Sequence, residues 1–326
     1  MKRLILSALA VFAVGGIGIT CACKAGIVTP PYVGFAKVWS VAVCQVDGPF
    51  DGSPLDVSPL QVITADHVTD IDARLVADPF LLQDGETSYL FYEVLNDANA
   101  QGDIGLSVST DGKHWTYQGL VLNEDFHLSY PQVFKHEDDF YMIPESCAAG
   151  AVRLYRATNF PTEWAFERTL IDKPLVDPTI VRHGDHWWIF ASPADDWDDL
   201  HLYFSRTLDG TNWQEHPQSP IVESSKRFAR QGGRIIQENG RMFRIAQDHK
   251  LHYGHQVWAM EIDTLTPELY SETLTSRSPI LTADGKGWNE IGMHHLDMHV
   301  LPNGKRIMCV DGLEQVLVVG PVKLSF

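Results

Sequence analysis

Five short segments of this chain make the same step from apolar to polar residues, and they recur at intervals of about 50 to 60 residues. They are Ala77-Asp78-Pro79-Phe80, Ser129-Tyr130-Pro131-Gln132, Val176-Asp177-Pro178-Thr179, Gln231-Gly232-Gly233-Arg234 and Gly292-Met293-His294-His295. Counted from residues 78, 130, 177, 234 and 295, the steps are 52, 47, 57 and 61 residues. A period of this size, with several short strands inside it, is the mark of a β-propeller. The spacing predicts an all-β, five-bladed propeller. Each segment opens the innermost strand of a blade, so five residues far apart in sequence meet at one central channel.

The hairpins carry the same period. Phe80-Leu81-Leu82, Gln83-Asp84-Gly85-Glu86 and Tyr89-Leu90-Phe91-Tyr92 read as strand, turn and strand, and four more copies follow from Val133, Ile180, Ile235 and Met298. Gly, Asn and Asp between β-rich runs suit tight turns because they tolerate positive φ. Third strands are expected at 104–109, 152–157 and 200–205, and the corners at 109–115 and 206–213 each end in a tryptophan. Before residue 77 the period fades. Val38 to Val43 reads as a strand that completes the last blade from the other end of the chain, while Pro54, Pro59 and the stretch to Asp72 read as loop. A hydrophobic content of 44%, with 15 Phe, 9 Trp and 10 Tyr, is ample for the core of one such domain over 26–326.

The chain carries 25 basic and 42 acidic side chains, a net charge of −17. That balance argues against nucleic acid and anionic membrane surfaces, both of which reward Lys and Arg. Met1-Lys2-Arg3 followed by an apolar or small run from Leu4 to Thr20 predicts a signal peptide or membrane anchor over residues 1–25. Cleavage, retention as an anchor and lipidation at Cys21 or Cys23 all place the domain outside the cytoplasm: secreted, periplasmic or on the outer side of a membrane. Beyond those two cysteines only Cys44, Cys147 and Cys309 remain, too few for a disulfide framework.

A propeller channel lined by carboxylates suits cleavage of glycosidic bonds, which needs one carboxyl group protonated and another ionised across the bond. The candidates are Asp78 and Asp177 at blade starts, and Glu93 and Glu145 at the ends of apolar strands. Partial desolvation there raises a carboxyl pKa and suits a general acid. The alternative is structural: Asp accepting backbone N–H bonds, and Pro ending strand pairing.

Taken in order, Ala-Asp-Pro-Phe at 77–80, Phe-Tyr-Glu at 91–93, Tyr-Pro at 130–131, Ile-Pro-Glu-Ser at 143–146 and Val-Asp-Pro-Thr at 176–179 form a recognisable series. It continues with Gly-Gly-Arg at 232–234, Ala-Gln-Asp at 246–248 with Tyr253-Gly254, and Gly-Met-His-His-Leu-Asp at 292–297. The series resembles the propeller domain found N-terminal to the transferase domain of glucosamine inositolphosphorylceramide transferases. That domain is similar in turn to the propellers of glycoside hydrolase families 43, 32, 62 and 68. The resemblance covers about residues 35 to 320 and leaves no room for a glycosyltransferase domain before Phe326, so transferase activity is not carried over. The catalytic candidates are Asp78 with Glu145 or Asp177, Glu145 by analogy of position alone. The substrate-binding candidates are Glu93, Tyr130, Arg234, Gln247, Asp248, His294 and His295. The hydrolases place a base Asp in blade one, a pKa-tuning Asp in blade two and an acid Glu in blade three. Asp78 matches the first, but Tyr130 stands in the second place and Asp177 in the third.

His249, His252 and His255 cannot all face one metal from one strand, because side chains three apart alternate sides. No metal or other cofactor is assigned, apart from a central Ca or other cation that His295 could hold through water, as in similar propellers. The acidic loop Ala194 to Asp199 reads as solvated rather than as a Ca site, and its Trp197 is a candidate for stacking on a sugar ring. Arg234 is expected to meet Asp177 or Glu145 across the channel. The partner expected is a carbohydrate or glycoconjugate, with no nucleic acid, and membrane contact only through an N-terminal anchor. Three functions remain open: an exported glycoside hydrolase, a catalytically silent glycan-binding propeller, and a protein-interaction propeller.

Overall fold

The structure, a computed structural model, describes residues 31–47, 50–210, 212–301 and 304–321. The proposed export segment over 1–25 lies outside them. Val38–Glu314 form one compact unit. The described parts of the remainder, 31–37 and 315–321, are extended strand.

The compact unit is a five-bladed propeller. Blade 1 holds Ala73–Asp84, Thr87–Asn96, Gln101–Ser109 and Thr116–Leu122, in that order from the axis outward. Blade 2 holds Ser129–His136, Asp139–Glu145, Val152–Asn159 and Glu163–Ile171. Blade 3 holds Leu175–His183, His186–Pro193, His201–Ser205 and Gln214–Glu215. Blade 4 holds Ile236–Glu238, Arg241–Asp248, Gln256–Leu265 and Tyr270–Leu274. Blade 5 takes Leu296–Val300 and Arg306–Pro321 from one end of the chain, then Pro31–Val46 and Pro59–Ile63 from the other. The strand expected at 38–43 thus closes the ring. The stretch around Pro59, expected as loop, is instead the outer edge strand of that blade. Pro59 stands at its first position, where a missing N–H costs no ladder bond.

The strands read as continuous apolar runs because both of their faces are buried. Successive side chains point to opposite sides, and each side packs on a different neighbouring blade. Ala42 and Cys44 face blade 4 with Phe243 and Val257, while Val41 and Val43 face blade 1 with Leu90 and Val94. Phe80 and Leu82 join Tyr130 and Met142 between blades 1 and 2. Ile143, Ile180 and Trp187 fill the next interface, and Trp188 and Phe190 pack with Ile235 and Met242 in the one after. Cys44 and Cys309 are small apolar residues of this core, and the three described cysteines are all free.

Two-residue turns join the first two strands of blades 1 to 4, with positive φ at Gly85, Glu137, Gly184, Asn239 and Gly240. Blade 4 departs from the pattern at the axis. Its inner strand is only Ile236–Glu238, because Gly232 and Gly233 run against the blade 5 backbone. The N–H of Leu296 donates to Gly232 O at 2.8 Å, and a Cβ on Gly233 would lie 1.9 Å from Leu296 O.

Arg234 follows that glycine pair and is a fastening of the fold. Its Nε and Nη2 donate to Asp297 at 2.9 and 3.2 Å, Nη1 to Val133 O at 3.1 Å, and Nη2 also to Leu81 O at 3.2 Å. Asp297 in turn accepts the N–H of Leu81 at 2.8 Å. Burial opposes the Asp297 charge, but Arg234 and then His299 outweigh it and hold the carboxyl below its ordinary range. Arg234→Ala, which strands a fully buried carboxylate, should cost about 3–5 kcal/mol and lower the melting temperature in calorimetry. Because the Asp297 pKa is depressed in the folded state, this contribution is complete above about pH 4 and is lost on acidification below it. A variant that melts like the wild type at pH 7 would remove Arg234 from this role.

Candidate functional site

The innermost strands of blades 1, 2 and 3 share one local distortion. Asp78, Tyr130 and Asp177 have φ of 52°, 47° and 48°, and each precedes a proline. The pairing register slips across the same positions, between Ala77 and Phe80, Ser129 and Gln132, and Val176 and Thr179. A non-glycine residue in this region costs on the order of 1–3 kcal/mol. The bulge turns one side chain per blade out of the pleat, and proline there removes an N–H that the slipped ladder could not pair. Directly across from the three bulges stand Glu93, Glu145 and Ser192 on the second strands. The blade repeat therefore delivers Asp78 with Glu93, Tyr130 with Glu145, and Asp177 alone.

Asp78, Glu93, Glu145 and Asp177 are all buried. Burial pushes the Asp78 carboxyl up to about 7, with His294 pulling against it. Burial and then the Asp177 charge push Glu145 to about 7 as well, opposed by a hydrogen bond from Cys147. Glu93 lies well above its ordinary range, through burial and the charges of Asp78, Glu145 and Asp177. The four carboxyl groups thus lie near enough to act on one another's charge. Facing Glu93 is His127, with Nε2 at 3.7 Å from its carboxylate. His127 Nδ1 accepts the N–H of Gly102 at 2.9 Å, so the neutral ring carries its proton on Nε2, toward Glu93.

Asp177 meets Arg230, not Arg234. Arg230 Nε donates to Asp177 Oδ2 at 2.5 Å, and Gln247 Nε2 donates to the same oxygen at 3.1 Å. Burial works against the Arg230 charge, yet Asp177 keeps its pKa above the ordinary arginine value. The guanidinium also lies 4.2 Å from the Trp197 ring and 5.2 Å from that of Tyr253. Both rings are partly exposed, and Trp39 packs edge-on against Tyr253. Trp197, Tyr253 and Trp39 thus form an aromatic rim, with Arg230 beneath its outer part.

His294 fills the blade 5 side. Its Nδ1 is 2.8 Å from Asp311 Oδ2 and its Nε2 is 3.3 Å from Asp78 Oδ1. Asp311 also accepts the backbone N–H groups of His294, His295 and Asp78 at 3.1, 3.0 and 3.1 Å. Asp78, His294 and Asp311 have the residue types and proximity of a metal centre. Asp311 Oδ1 thus accepts two backbone N–H groups and Oδ2 one, while His294 Nδ1, though close to Oδ2, makes no hydrogen bond. The trio sets His294 against two carboxylates and offers one ligand atom from each residue to a cation. His295 is fully buried against Phe80 and Tyr130 at 4.6 and 5.3 Å, and burial lowers its pKa to about 4, so the ring is neutral. Neither of its ring nitrogens has a hydrogen-bond partner.

Of the residues expected from sequence, Asp78, Glu93, Glu145, Asp177, Gln247 and His294 form one buried cluster, with Gln247 bonded to Asp177 and His294 against Asp78. Tyr130 and His295 pack beneath it: the Tyr130 hydroxyl accepts the N–H of Gly233 and shares a hydrogen bond with Thr179, both at 2.7 Å. Two of the expected residues are engaged elsewhere. Arg234 is spent on Asp297 and backbone carbonyls. Asp248 accepts from Lys250 N, Gln256 Nε2 and Trp258 Nε1 at 2.8, 3.0 and 3.1 Å, so it shapes the 249–255 loop that carries Tyr253. The histidines of that loop do not gather on a metal; His249 Nε2 pairs with Asp198 at 2.8 Å. Sequence reading missed Asp311, Arg230, His127 and Trp39. Asp311 had a signal, since Cys309-Val310-Asp311 lies in the second strand of blade 5 as Phe91-Tyr92-Glu93 lies in that of blade 1. Arg230 had none: it lies in a loop outside the repeat.

The family described as glucosamine inositolphosphorylceramide transferase 1, N-terminal, matches residues 37–313. The relative of that name in Oryza sativa subsp. japonica is 40% identical over 248 residues, covering 74% of this chain and 33% of that protein. The one in Arabidopsis thaliana is 36% identical over 296 residues, covering 84% of this chain and 39% of that protein. The chain therefore spans about a third of the length of the relatives it matches. Among solved structures, the catalytic domain of the Coprinopsis cinerea GH62 α-L-arabinofuranosidase aligns with a TM-score of 0.55 at 13% identity, over 83% of this chain and 97% of that one. The Podospora anserina α-L-arabinofuranosidase aligns equally well at 11% identity, over 84% and 97%. At such identities the likeness shows a shared propeller fold. By the match over residues 37–313, the chain belongs to the family of the N-terminal domain of glucosamine inositolphosphorylceramide transferase 1.

Proposed function

We propose that this is an exported carbohydrate-active propeller that takes the saccharide part of a glycoconjugate into its central pocket and hydrolyses a glycosidic bond there. The observation that carries this reading is the cluster of four buried carboxyl groups on three blades, two of them raised to about 7. Hydrolysis needs one carboxyl group that holds a proton near neutrality and one that can accept it. Glu145 suits the acid, because burial and the Asp177 charge favour its protonated form. Asp78 suits the base, because His294 favours its ionised form. Asp177 is fastened to Arg230 and Gln247 and takes the structural part. The aromatic rim suits the apolar face of a sugar ring, which buries C–H groups while its hydroxyls stay polar.

The relatives are named for glucosamine and inositolphosphorylceramide, so saccharides and sugar–inositol phosphates of that chemistry come first in a panel of substrates. A second reading, binding without cleavage, is favoured by one observation: the blade 3 position where hydrolases keep their acid is here an Asp held in an ion pair. Calorimetry with the panel, run beside product analysis, separates the two. Binding without turnover selects the second reading, and no binding to any saccharide selects a protein partner.

For a hydrolysed substrate, Asp78→Asn should lower kcat/KM by about 10²–10⁴-fold with the fold intact. Glu145→Gln should do the same for natural glycosides but spare aryl glycosides whose leaving group needs no proton. The pH profile should be a narrow bell centred near 7. It falls in acid as Asp78 gains its proton and falls in base as Glu145 loses its own. A rate that stays flat from pH 5 to 9 would remove both carboxyl groups from the rate-determining chemistry.

A further inference from the structure

We propose that His127 and Glu93 form a seat for one saccharide hydroxyl, between blades 1 and 2 on the solvent-facing side of the carboxyl cluster. The Nε2–H of His127 donates to the hydroxyl oxygen, and the Glu93 carboxyl accepts the hydroxyl hydrogen. The proposal rests on the reading that a saccharide enters the central pocket, and it does not require that a bond be cleaved there.

Geometry fixes the donor. The N–H of Gly102 donates to His127 Nδ1 at 2.9 Å. A ring nitrogen that accepts carries no proton, so the proton of the neutral imidazole sits on Nε2. Burial lowers the His127 pKa, which keeps the ring neutral. Nε2 stands 3.7 Å from Glu93 Oε1. That is too long for a direct hydrogen bond, and too short for another atom to stand on the line between them. An oxygen seated beside that line lies about 2.8 Å from both. A hydroxyl suits both partners at once, because it donates and accepts. A carboxyl group keeps an acceptor oxygen in either protonation state, so the seat does not depend on the charge of Glu93.

The surroundings hold the two side chains in place. Gly102 brackets His127: its N–H holds the ring, and its carbonyl accepts the N–H of Leu128 at 2.9 Å. A Cβ on Gly102 would lie 2.7 Å from His127 Cε1 and 2.9 Å from Glu93 Oε1, so glycine is what lets the three groups approach. The loop that carries His127 is pinned along its length. Asn123 Nδ2 donates to Asp103 at 2.7 Å, Gln101 Nε2 to Glu124 O at 2.8 Å, and the Tyr155 hydroxyl to Glu124 at 2.7 Å. Phe126 packs against the core between blades 1 and 2. A donor and an acceptor fixed in this way lose little freedom when a ligand arrives.

The pair is also within reach of a ligand. The side chains of His127 and Glu93 are 39% and 12% exposed, against 9% for Asp78 and 3% for Asp177 and His294. A saccharide therefore meets this seat before the deeper carboxyl groups.

His127→Asn separates the two roles of the ring. The shorter amide keeps an acceptor for the N–H of Gly102 and loses the Nε2 donor, so the variant should melt like the wild type. Calorimetry on the full chain uses D-glucosamine, myo-inositol and a glucosaminyl inositol phosphate, the first two also as series of single-deoxy derivatives. In the wild type, removing one particular hydroxyl should lower affinity about tenfold or more. His127→Asn should weaken the parent saccharide similarly and shrink the cost of that deoxygenation, because both changes remove the same contact. Losses that simply add, or equal affinities of wild type and variant for every probe, overturn the seat and leave the saccharide reading standing. The expected coupling without turnover supports the seat and removes only hydrolysis. If the wild type binds none of the probes, the saccharide reading and the seat fall together. Nitrogen NMR with labelled histidine checks the donor without any ligand. His127 should show a bare Nδ1 and a protonated Nε2 at neutral pH, and a proton on Nδ1 instead overturns the proposal.

Discussion

Arg234 and Asp297 face each other at the propeller axis, beneath the pocket, and the guanidinium reaches four blades at once. It rises from blade 4, pairs with Asp297 of blade 5, and caps Leu81 O of blade 1 and Val133 O of blade 2. A planar fork of donors can serve so many acceptors from one position; an ammonium could not. The close approach of blades 4 and 5 that puts it there depends on Gly233, which leaves no room for a Cβ. The axis of a propeller is where apolar packing is thinnest, since the apolar clusters lie between blades. A charged network that satisfies backbone groups fills that need, at the cost of burying an ion pair.

The strained residues above it follow from that fixed axis. Asp78, Tyr130 and Asp177 keep a positive φ before proline because the strands on either side of each bulge are locked, and the Tyr130 hydroxyl is bonded to Thr179 and Gly233. The bulges of blades 1 and 3 bring acidic side chains into the buried interior. Two carboxylates there have firm cationic partners, Asp177 in Arg230 and Asp311 in His294. Asp78, Glu93 and Glu145 do not match them, and their raised pKa values express that imbalance. Such a pocket is unfavourable for stability and useful for proton transfer at neutral pH.

Much of this was legible in the sequence because propellers repeat. The spacing of Asp78, Tyr130, Asp177, Arg234 and His295 located the five blade starts, and Val38 to Val43 identified the closing strand. The pairing of each bulge with Glu93 or Glu145 was legible only as two strand-end carboxylates. Two arginines four residues apart exchanged roles: the one inside the repeat, Arg234, fastens the axis, while Arg230 in an irregular loop reaches Asp177. Periodicity reports where a backbone passes, and a long flexible side chain can reach in either direction from it. Asp248 misled for a similar reason. It ends a strand, as Glu145 does, but the loop that follows folds back over its carboxylate and consumes it.

The seam between blades 5 and 1 joins the fold to the chemistry. Two buried aspartates of blade 5 hold blade 1 through its backbone: Asp297 accepts Leu81 N–H, and Asp311 accepts Asp78 N–H. The two bonds lie three residues apart on one strand and flank its bulge. The lower aspartate is neutralised by an arginine, whose charge is permanent. The upper one is neutralised by a histidine, whose charge depends on pH and on Asp78. Ring closure therefore rests on one fixed pair and one titratable pair, and the titratable pair is the one that faces the pocket. The Asp78 backbone is held by a buried carboxylate of blade 5, so closing the ring is also what places Asp78.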